Sequence, residues 1–319
     1  MPLISGSKFK RPGLLINGHL ETIVPNTLRK VDHVDYSRER FTTADQDFFL
    51  LDWIKQGADK LVVLTHGLEG HSEKPYMKGL ARIFSRRGWD VLAWNCRSCG
   101  GEMNNQLKLY HHGDIADLNE LVNYLNEKYS YRKIALAGVS MGGSIILKYL
   151  GEMENSLPNN VKGAVAISTP CDLAASERML RKPVNAIYRR RFFKKLWQKT
   201  LIKSQQFLPE AIQQLKRART FSDLHRWFTM PVYGFKSEDE FYQQGSAKNF
   251  LHRIKVPSLI LNALNDPMLA DDCYPVKIAE QLEHVFLEIP RFGGHAGFMQ
   301  KGEGPCWSEL RASAFINSL

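Results

Sequence analysis

The chain has 319 residues, 44% of them hydrophobic and 24% charged, with 23 Gly and 14 Pro; that is enough for one large domain or two ordinary ones around a sizeable core, and it excludes a disordered, collagen-like or disulfide-scaffolded chain. The longest uncharged stretch near the centre, Ile134 to Leu147, has 14 residues broken by Gly and Ser, short of the roughly 18 that a membrane-spanning helix needs. Net charge is +10, yet the fourteen Lys and Arg between Arg178 and Arg226, against only Glu210 and Asp223, hold the whole excess, so the basic pI describes one surface and no nucleic-acid partner is expected. No apolar signal core follows Met1, and the five cysteines lack framework spacing, so a cytoplasmic protein without disulfides is expected.

In chain order, residues 38 to 54 read as an antiparallel hairpin, followed by apolar runs bounded by turn residues that read as buried strands. These runs are 61–65, 90–95, 133–137, 163–168, 257–262 and 285–289. Helical spacing of apolar positions fills 75–87, 114–127, 142–152, 275–281 and 307–319. The alternation predicts an α/β fold with a mostly parallel central sheet flanked by helices. It is interrupted from Cys171 to Leu251, where basic and aromatic helical patterns replace strands. The expected organisation is therefore a core of residues 1–170 and 252–319, with a helical basic lid, 171–251, inserted between strands.

The chemistry centres on Gly138-Val139-Ser140-Met141-Gly142, a G-x-S-x-G that follows a strand directly and opens a helix, as a nucleophile elbow requires. A sharp strand-to-helix turn strains the serine backbone, and the two glycines remove side chains that would collide there. The helix N-terminus also aims backbone N–H groups at developing negative charge. A serine hydroxyl is a poor nucleophile until a base takes its proton, so a carboxylate and a histidine must follow in the order Ser, Asp, His. Asp266, in the loop after the strand 257–262, is the expected acid; Asp271 and Asp272 are rivals that sit where the next helix begins. His295, in the glycine-rich loop Arg291-Phe292-Gly293-Gly294-His295, is the expected base. The oxyanion hole needs two backbone donors: Met141 after the nucleophile and Leu68 in the loop after the strand 61–65, with His66 beside it structural.

Taken together, His66-Gly67-Leu68-Glu69-Gly70, Asn95-Cys96-Arg97-Ser98-Cys99-Gly100-Gly101, Gly138-Val139-Ser140-Met141-Gly142-Gly143, Asn262-Ala263-Leu264-Asn265-Asp266-Pro267 and Gly293-Gly294-His295-Ala296-Gly297-Phe298 resemble the YheT-like branch of the α/β-hydrolases. So does the N-terminal segment from Arg11-Pro12 through Gly18-His19-Leu20-Glu21-Thr22 to Pro25. The resemblance spans nearly the whole chain. It implies the α/β-hydrolase fold and a serine esterase-type activity, and it sets nucleophile, acid and base on Ser140, Asp266 and His295. Ser98 is a departure, since members of that branch more often carry Gly after the Arg.

Cys96 and Cys99 have C-x-x-C spacing, but a structural zinc normally takes two such pairs; the two thiols read as part of a turn, and neither metal nor cofactor is required. Arg97 reads as the anchor of that turn through carbonyls, His19 as a loop residue. Within the insertion, Arg189 to Ile202 reads as a basic amphipathic helix with apolar residues at 193, 196, 197 and 201. Its charge suits an anionic membrane surface or an acidic substrate, or else only a solvated face. The expected function is hydrolysis of carboxylic esters with short or medium acyl chains, or of lipid esters, through an acyl-enzyme on Ser140. Acyl transfer to an alcohol or thiol, and a non-catalytic role binding a membrane or acidic partner through the basic segment 178–226, are the alternatives.

Overall fold

The computed structural model describes residues 3–302 and 304–319; of the expected core, Met1, Pro2 and Glu303 lie outside the described residues. Nine strands form one sheet: β1 (Leu3–Ile4), β2 (Ser37–Thr42), β3 (Phe48–Ile54), β4 (Lys60–Thr65), β5 (Asp90–Asn95), β6 (Lys133–Val139), β7 (Val161–Ile167), β8 (Ser258–Leu261) and β9 (Val285–Glu288), in the order β1-β9-β8-β7-β6-β4-β5-β3-β2. β2, β3 and β5 pair antiparallel, and every other pairing is parallel. The six expected runs and the hairpin are thus all strands, displaced by no more than a few residues at their ends.

The central strands are apolar on both faces because helices cover both. Along β4, Leu61 and Val63 point into one core and Val62 and Leu64 into the other, the period-two alternation of a pleated strand. On the first side lie α3 (Ala116–Lys128), with Leu118, Leu121 and Leu125, and α4 (Met141–Met153), with Ile145, Ile146 and Tyr149; on the second lie α2 (Pro75–Ser85), with Met77, Leu80 and Phe84, and α12 (Trp307–Asn317), with Ala312, Phe315 and Ile316.

Between β7 and β8 the chain leaves the sheet through α5 (Leu173–Arg181), α6 (Ala186–Phe207), α7 (Ile212–Arg217), α8 (Phe221–Leu224), α9 (Met230–Tyr233) and α10 (Glu238–Gly245). The apolar positions expected on α6 do face inward: Phe193 meets Phe221 edge-on, and the Trp197 indole donates to the Leu215 carbonyl at 2.7 Å. Its basic residues are not confined to solvent, however. Lys199 pairs with Glu69 at 2.8 Å and the buried Lys203 donates to the Asn104 carbonyl, so the long cations tie the insertion to the core.

The N-terminal region differs from the sequence expectation. Gly18–Thr27 is a helix, α1, capped by the Asn17 side chain, which accepts from Leu20 N–H at 2.9 Å, so His19 lies on a helix and not in a loop. The Pro25 within it and the lack of apolar periodicity hid it; tertiary contacts hold it instead. One short helix, α11 (Val276–Ala279), follows β8.

Arg97 also departs from expectation. Its guanidinium bonds three carboxylates, not carbonyls: Asp45 and Asp117 at 2.7 Å and Asp47 at 2.9 Å. Only 5% of the residue is exposed, and the surrounding carboxylates hold the guanidinium far above its ordinary range against its desolvation. Ser98 next to it has φ 59°, the left-handed conformation that makes Gly common there; here its Oγ bonds Asn104, whose N–H donates back at 3.2 Å. Replacing Arg97 by Ala leaves the buried Asp47 and Asp117 without their cation and should cost about 3–5 kcal/mol. Arg132→Ala, which breaks an exposed pair with Asp59, should stay within about 0.5 kcal/mol. Urea unfolding of the two variants checks both values.

Candidate active site

Parallel strands deliver their C-terminal ends to one sheet edge, so loops far apart in sequence meet there. Register fixes which ones: Thr65 at the end of β4 pairs with Gly138 in β6, and Ile167 at the end of β7 pairs with Val139 on one side and Leu261 of β8 on the other. The loops carrying Leu68, Ser140 and Asp266 are therefore neighbours, and β9 beside β8 brings in His295.

Ser140 sits between β6 and α4 with φ 56° and ψ −120°. The turn is possible because nothing larger than glycine fits on either side of it. A Cβ at Gly138 would lie 2.4 Å from Gly142 backbone, and one at Gly142 would lie 2.2 Å from the Thr65 carbonyl oxygen. The strained backbone is held by Ser140 N–H donating to the Ile167 carbonyl at 2.8 Å.

His295 Nε2 lies 2.9 Å from Ser140 Oγ, and His295 Nδ1 lies 2.8 Å from Asp266 Oδ2. The other Asp266 oxygen accepts from Met268 N–H at 2.9 Å. Asp266 and His295 are buried, so the carboxylate is shielded from water on the side facing the ring. The rivals are elsewhere: Asp271 and Asp272 form a 3-10 turn, and Asp272 pairs with exposed Arg178 at 2.9 Å.

Leu68 borders the serine in both adjoining cavities, and among the described residues its N–H has no hydrogen-bond partner, whereas the neighbouring Glu69 N–H is taken by the Tyr110 hydroxyl at 3.2 Å. Gly67 packs so closely that a Cβ there would lie 3.1 Å from Ser140 Cβ. Met141 N–H is the first free donor of α4. His66 is structural: fully buried, it accepts from Cys96 N–H at Nε2 and donates from Nδ1 to the Gly67 carbonyl at 2.7 Å. Burial pushes its pKa down to about 3, so it stays neutral. Cys96 and Cys99 are buried free thiols in a turn, and burial raises both.

His295 is positioned by residues that sequence reasoning did not single out. Gly293 N–H donates to Glu21 Oε2, and the other Glu21 oxygen accepts from Asn265 at 3.0 Å and Arg11 at 3.2 Å. Thr22 Oγ1 accepts from His295 N–H at 2.8 Å, and the Asn26 amide donates to the His295 carbonyl at 3.2 Å. Ala296 N–H donates to Ser168 Oγ at 2.8 Å. So α1 clamps both sides of the histidine loop. The one available signal was the Glu21-Thr22 pair inside the N-terminal segment.

Two cavities meet at the serine. The first, about 120 Å³, runs under the insertion between Leu109, Leu173, Leu196, Phe221, Phe228 and Phe241. His111 and His112 also line it, pushed down to about 3 by burial and so neutral. The second, about 210 Å³, opens toward α1 between Asn26, Lys74, Tyr188, Arg191 and Lys195.

Comparison with known proteins agrees with this geometry. The family described as the alpha/beta hydrolase fold matches residues 60–302. The Escherichia coli (strain K12) protein named "Putative esterase YheT" is 30% identical over 293 residues, covering 89% of this chain and 84% of its own. The phospholipase ABHD3 of Mus musculus is 26% identical over 278 residues, covering 84% of this chain and 67% of its own. Among solved structures, an esterase of Pyrococcus furiosus superposes with a TM-score of 0.60 at 19% identity, covering 99% of each chain, a likeness of fold. With its sheet order, its strand-to-helix serine turn and these matches, the chain belongs to the α/β-hydrolase family, in the branch to which YheT belongs.

Proposed function

We propose that the protein hydrolyses carboxylic esters through an acyl-enzyme on Ser140. The observation that carries the reading is the unbroken hydrogen-bond chain from Ser140 Oγ to His295 to Asp266, at 2.9 and 2.8 Å, ending in a buried carboxylate. Asp266 accepts from Nδ1–H, which leaves the Nε2 lone pair facing the hydroxyl and stabilises the imidazolium that forms. As Oγ attacks the acyl carbon, its proton passes to Nε2. The carbonyl oxygen becomes an oxyanion held by the Leu68 and Met141 N–H groups, and His295 then returns the proton to the leaving alcohol. Water, deprotonated by the same nitrogen, releases the acid. No cofactor enters this sequence.

The helices of the insertion, 171–251, act in this reading as a lid, since Leu196 and Phe192 from α6 and Phe221 from α8 roof the first cavity. That cavity is largely apolar, which suits an acyl chain. The esterase and phospholipase names of the relatives support an ester or lipid-ester substrate.

Ser140→Ala should lose on the order of 10⁵–10⁶-fold in kcat on p-nitrophenyl esters, with an unchanged melting profile, and should lose fluorophosphonate labelling by intact mass. Full activity in that variant would refute the mechanism. Asp266→Asn should cost about 10⁴-fold through the wrong imidazole tautomer. Glu21 acts as a positioning residue: Glu21→Ala frees the Gly293 end of the histidine loop and should lower kcat by about 10–100-fold with little change in KM. Glu21→Gln, which keeps an acceptor for Gly293, should restore most of it.

A further inference from the structure

The second cavity has a charge pattern that ester hydrolysis alone does not call for. Lys74, at the start of α2, and Arg191 and Lys195, one helical turn apart on α6, all line it, together with Ser140 and His295. None of the three cations pairs with a carboxylate among the described residues. The acids nearby are engaged elsewhere: Glu69 by Lys199 at 2.8 Å and by Tyr110, and Glu73 by Lys78 at 3.2 Å. Lys195 reaches only the Glu69 carbonyl oxygen, at 3.5 Å. Burial together with the Lys195 and Arg191 charges pushes the Lys74 ammonium below its ordinary value, and His71 is lowered by burial and by Lys74 and Lys195. Lys74 and Lys195 are partly buried and Arg191 is exposed; like charges held this close repel, and a counter-ion relieves the repulsion. Elsewhere in this insertion Lys199 has Glu69, Arg181 has Glu177 at 2.6 Å and Lys248 has Asp172, while the buried Lys203 is held by the Asn104 carbonyl.

We propose that Lys74, Arg191 and Lys195 form an anion subsite for the alcohol side of the substrate, so that the preferred ester joins an apolar acyl group to an alcohol bearing a phosphate or carboxylate. This deepens the hydrolase reading and rests on it. With the acyl chain in the apolar cavity and the carbonyl at Ser140, the leaving alcohol points into the second cavity, where the three cations stand without a carboxylate partner among the described residues. An ammonium accepts either anion as a point charge, whereas the Arg191 guanidinium offers a planar fork that fits both phosphate and carboxylate. Phe192 and Tyr188 in the same wall present apolar surface to the carbons in between.

The test compares three butyryl esters at equal concentration: of glycerol, of glycerol 3-phosphate and of glycolate. The expected result is a higher kcat/KM for the charged esters, carried by KM. The ratio of charged to neutral kcat/KM should fall at least about tenfold in the triple variant Lys74→Gln, Arg191→Gln, Lys195→Gln. It should hold in Lys194→Gln, an exposed residue of the same helix that lines neither cavity. Raising ionic strength to about 1 M, where the Debye length is about 3 Å, should erode the preference. The phosphate and glycolate arms tell which anion is recognised. Equal kcat/KM for charged and neutral esters, or a ratio untouched by the triple variant, overturns the subsite. Calorimetric binding of the same esters to Ser140→Ala separates the two readings. Charge-dependent binding lost in the triple variant, with no turnover by the parent enzyme, sinks the hydrolase reading and leaves the subsite standing. Turnover with charge-independent binding does the reverse.

Discussion

The contact on which the site depends is the approach of Gly142 to the end of β4, where the Thr65 carbonyl leaves no room for a side chain. That approach lets the chain reverse from β6 into α4 within one residue, and Ser140 is the residue left at the apex with φ 56°. Strain of this kind costs of order 1–3 kcal/mol and persists only where the surroundings over-determine it. Here they do: the Ser140 amide is tied to β7, Gly138 is packed on Gly142, and α4 is buried along most of its length. The same packing brings the Gly67-Leu68 turn against the serine, so the Ser140 hydroxyl and the Leu68 and Met141 N–H groups share one rigid frame.

The histidine loop closes on itself through one hydrogen bond, Phe298 N–H to the Gly293 carbonyl at 2.9 Å, and is held further from outside. It follows the β9 strand beside the sheet edge where, among the described residues, β1 contributes Leu3 and Ile4. Its stiffness is borrowed from α1, which reaches across with Glu21, Thr22 and Asn26 and fits so tightly that Cβ atoms at Gly294 and Gly297 would strike the Glu21 backbone. Three hydrogen bonds from one short helix fix both the amide before the ring and the carbonyl after it. Glu21 is buried at 2% exposure, and its charge is met by the Gly293 amide, Asn265 and Arg11 together, as a buried carboxylate requires.

What the sequence made legible follows from the range of each interaction. Buried strands announce themselves because both faces must be apolar, and the elbow because its glycines are demanded by local geometry; Asp266 and His295 follow from where parallel strands must end. The arrangement of α1 is set by partners such as Gly293, 272 positions away, so no local pattern reports it, and Pro25 argues against a helix there. Arg97 was legible as an anchor, but its partners Asp45, Asp47 and Asp117 come from two separate segments. Along α6, periodicity located Phe193, Leu196, Trp197 and Leu201, yet could not tell that Lys199 and Lys203 turn inward, because a long side chain can cross from the polar flank of a helix to a buried acceptor.

That inward turn separates two roles for the basic charge of the insertion. Lys199 is neutralised by Glu69 and Lys203 donates to the Asn104 carbonyl, and both fasten α6 over the core. Lys195, one turn before Lys199, has no carboxylate, and with Arg191 it faces the cavity that leads to Ser140. Lys203 shows that an inward cation of this helix can be held by a carbonyl alone, so what sets Lys195 and Arg191 apart is not by itself the lack of an acid but their place in the wall of the cavity that Ser140 also lines. In the proposed reading the roof of the acyl cavity and the wall of the charged one are the same helix, α6, so one element takes part in recognising both halves of the ester.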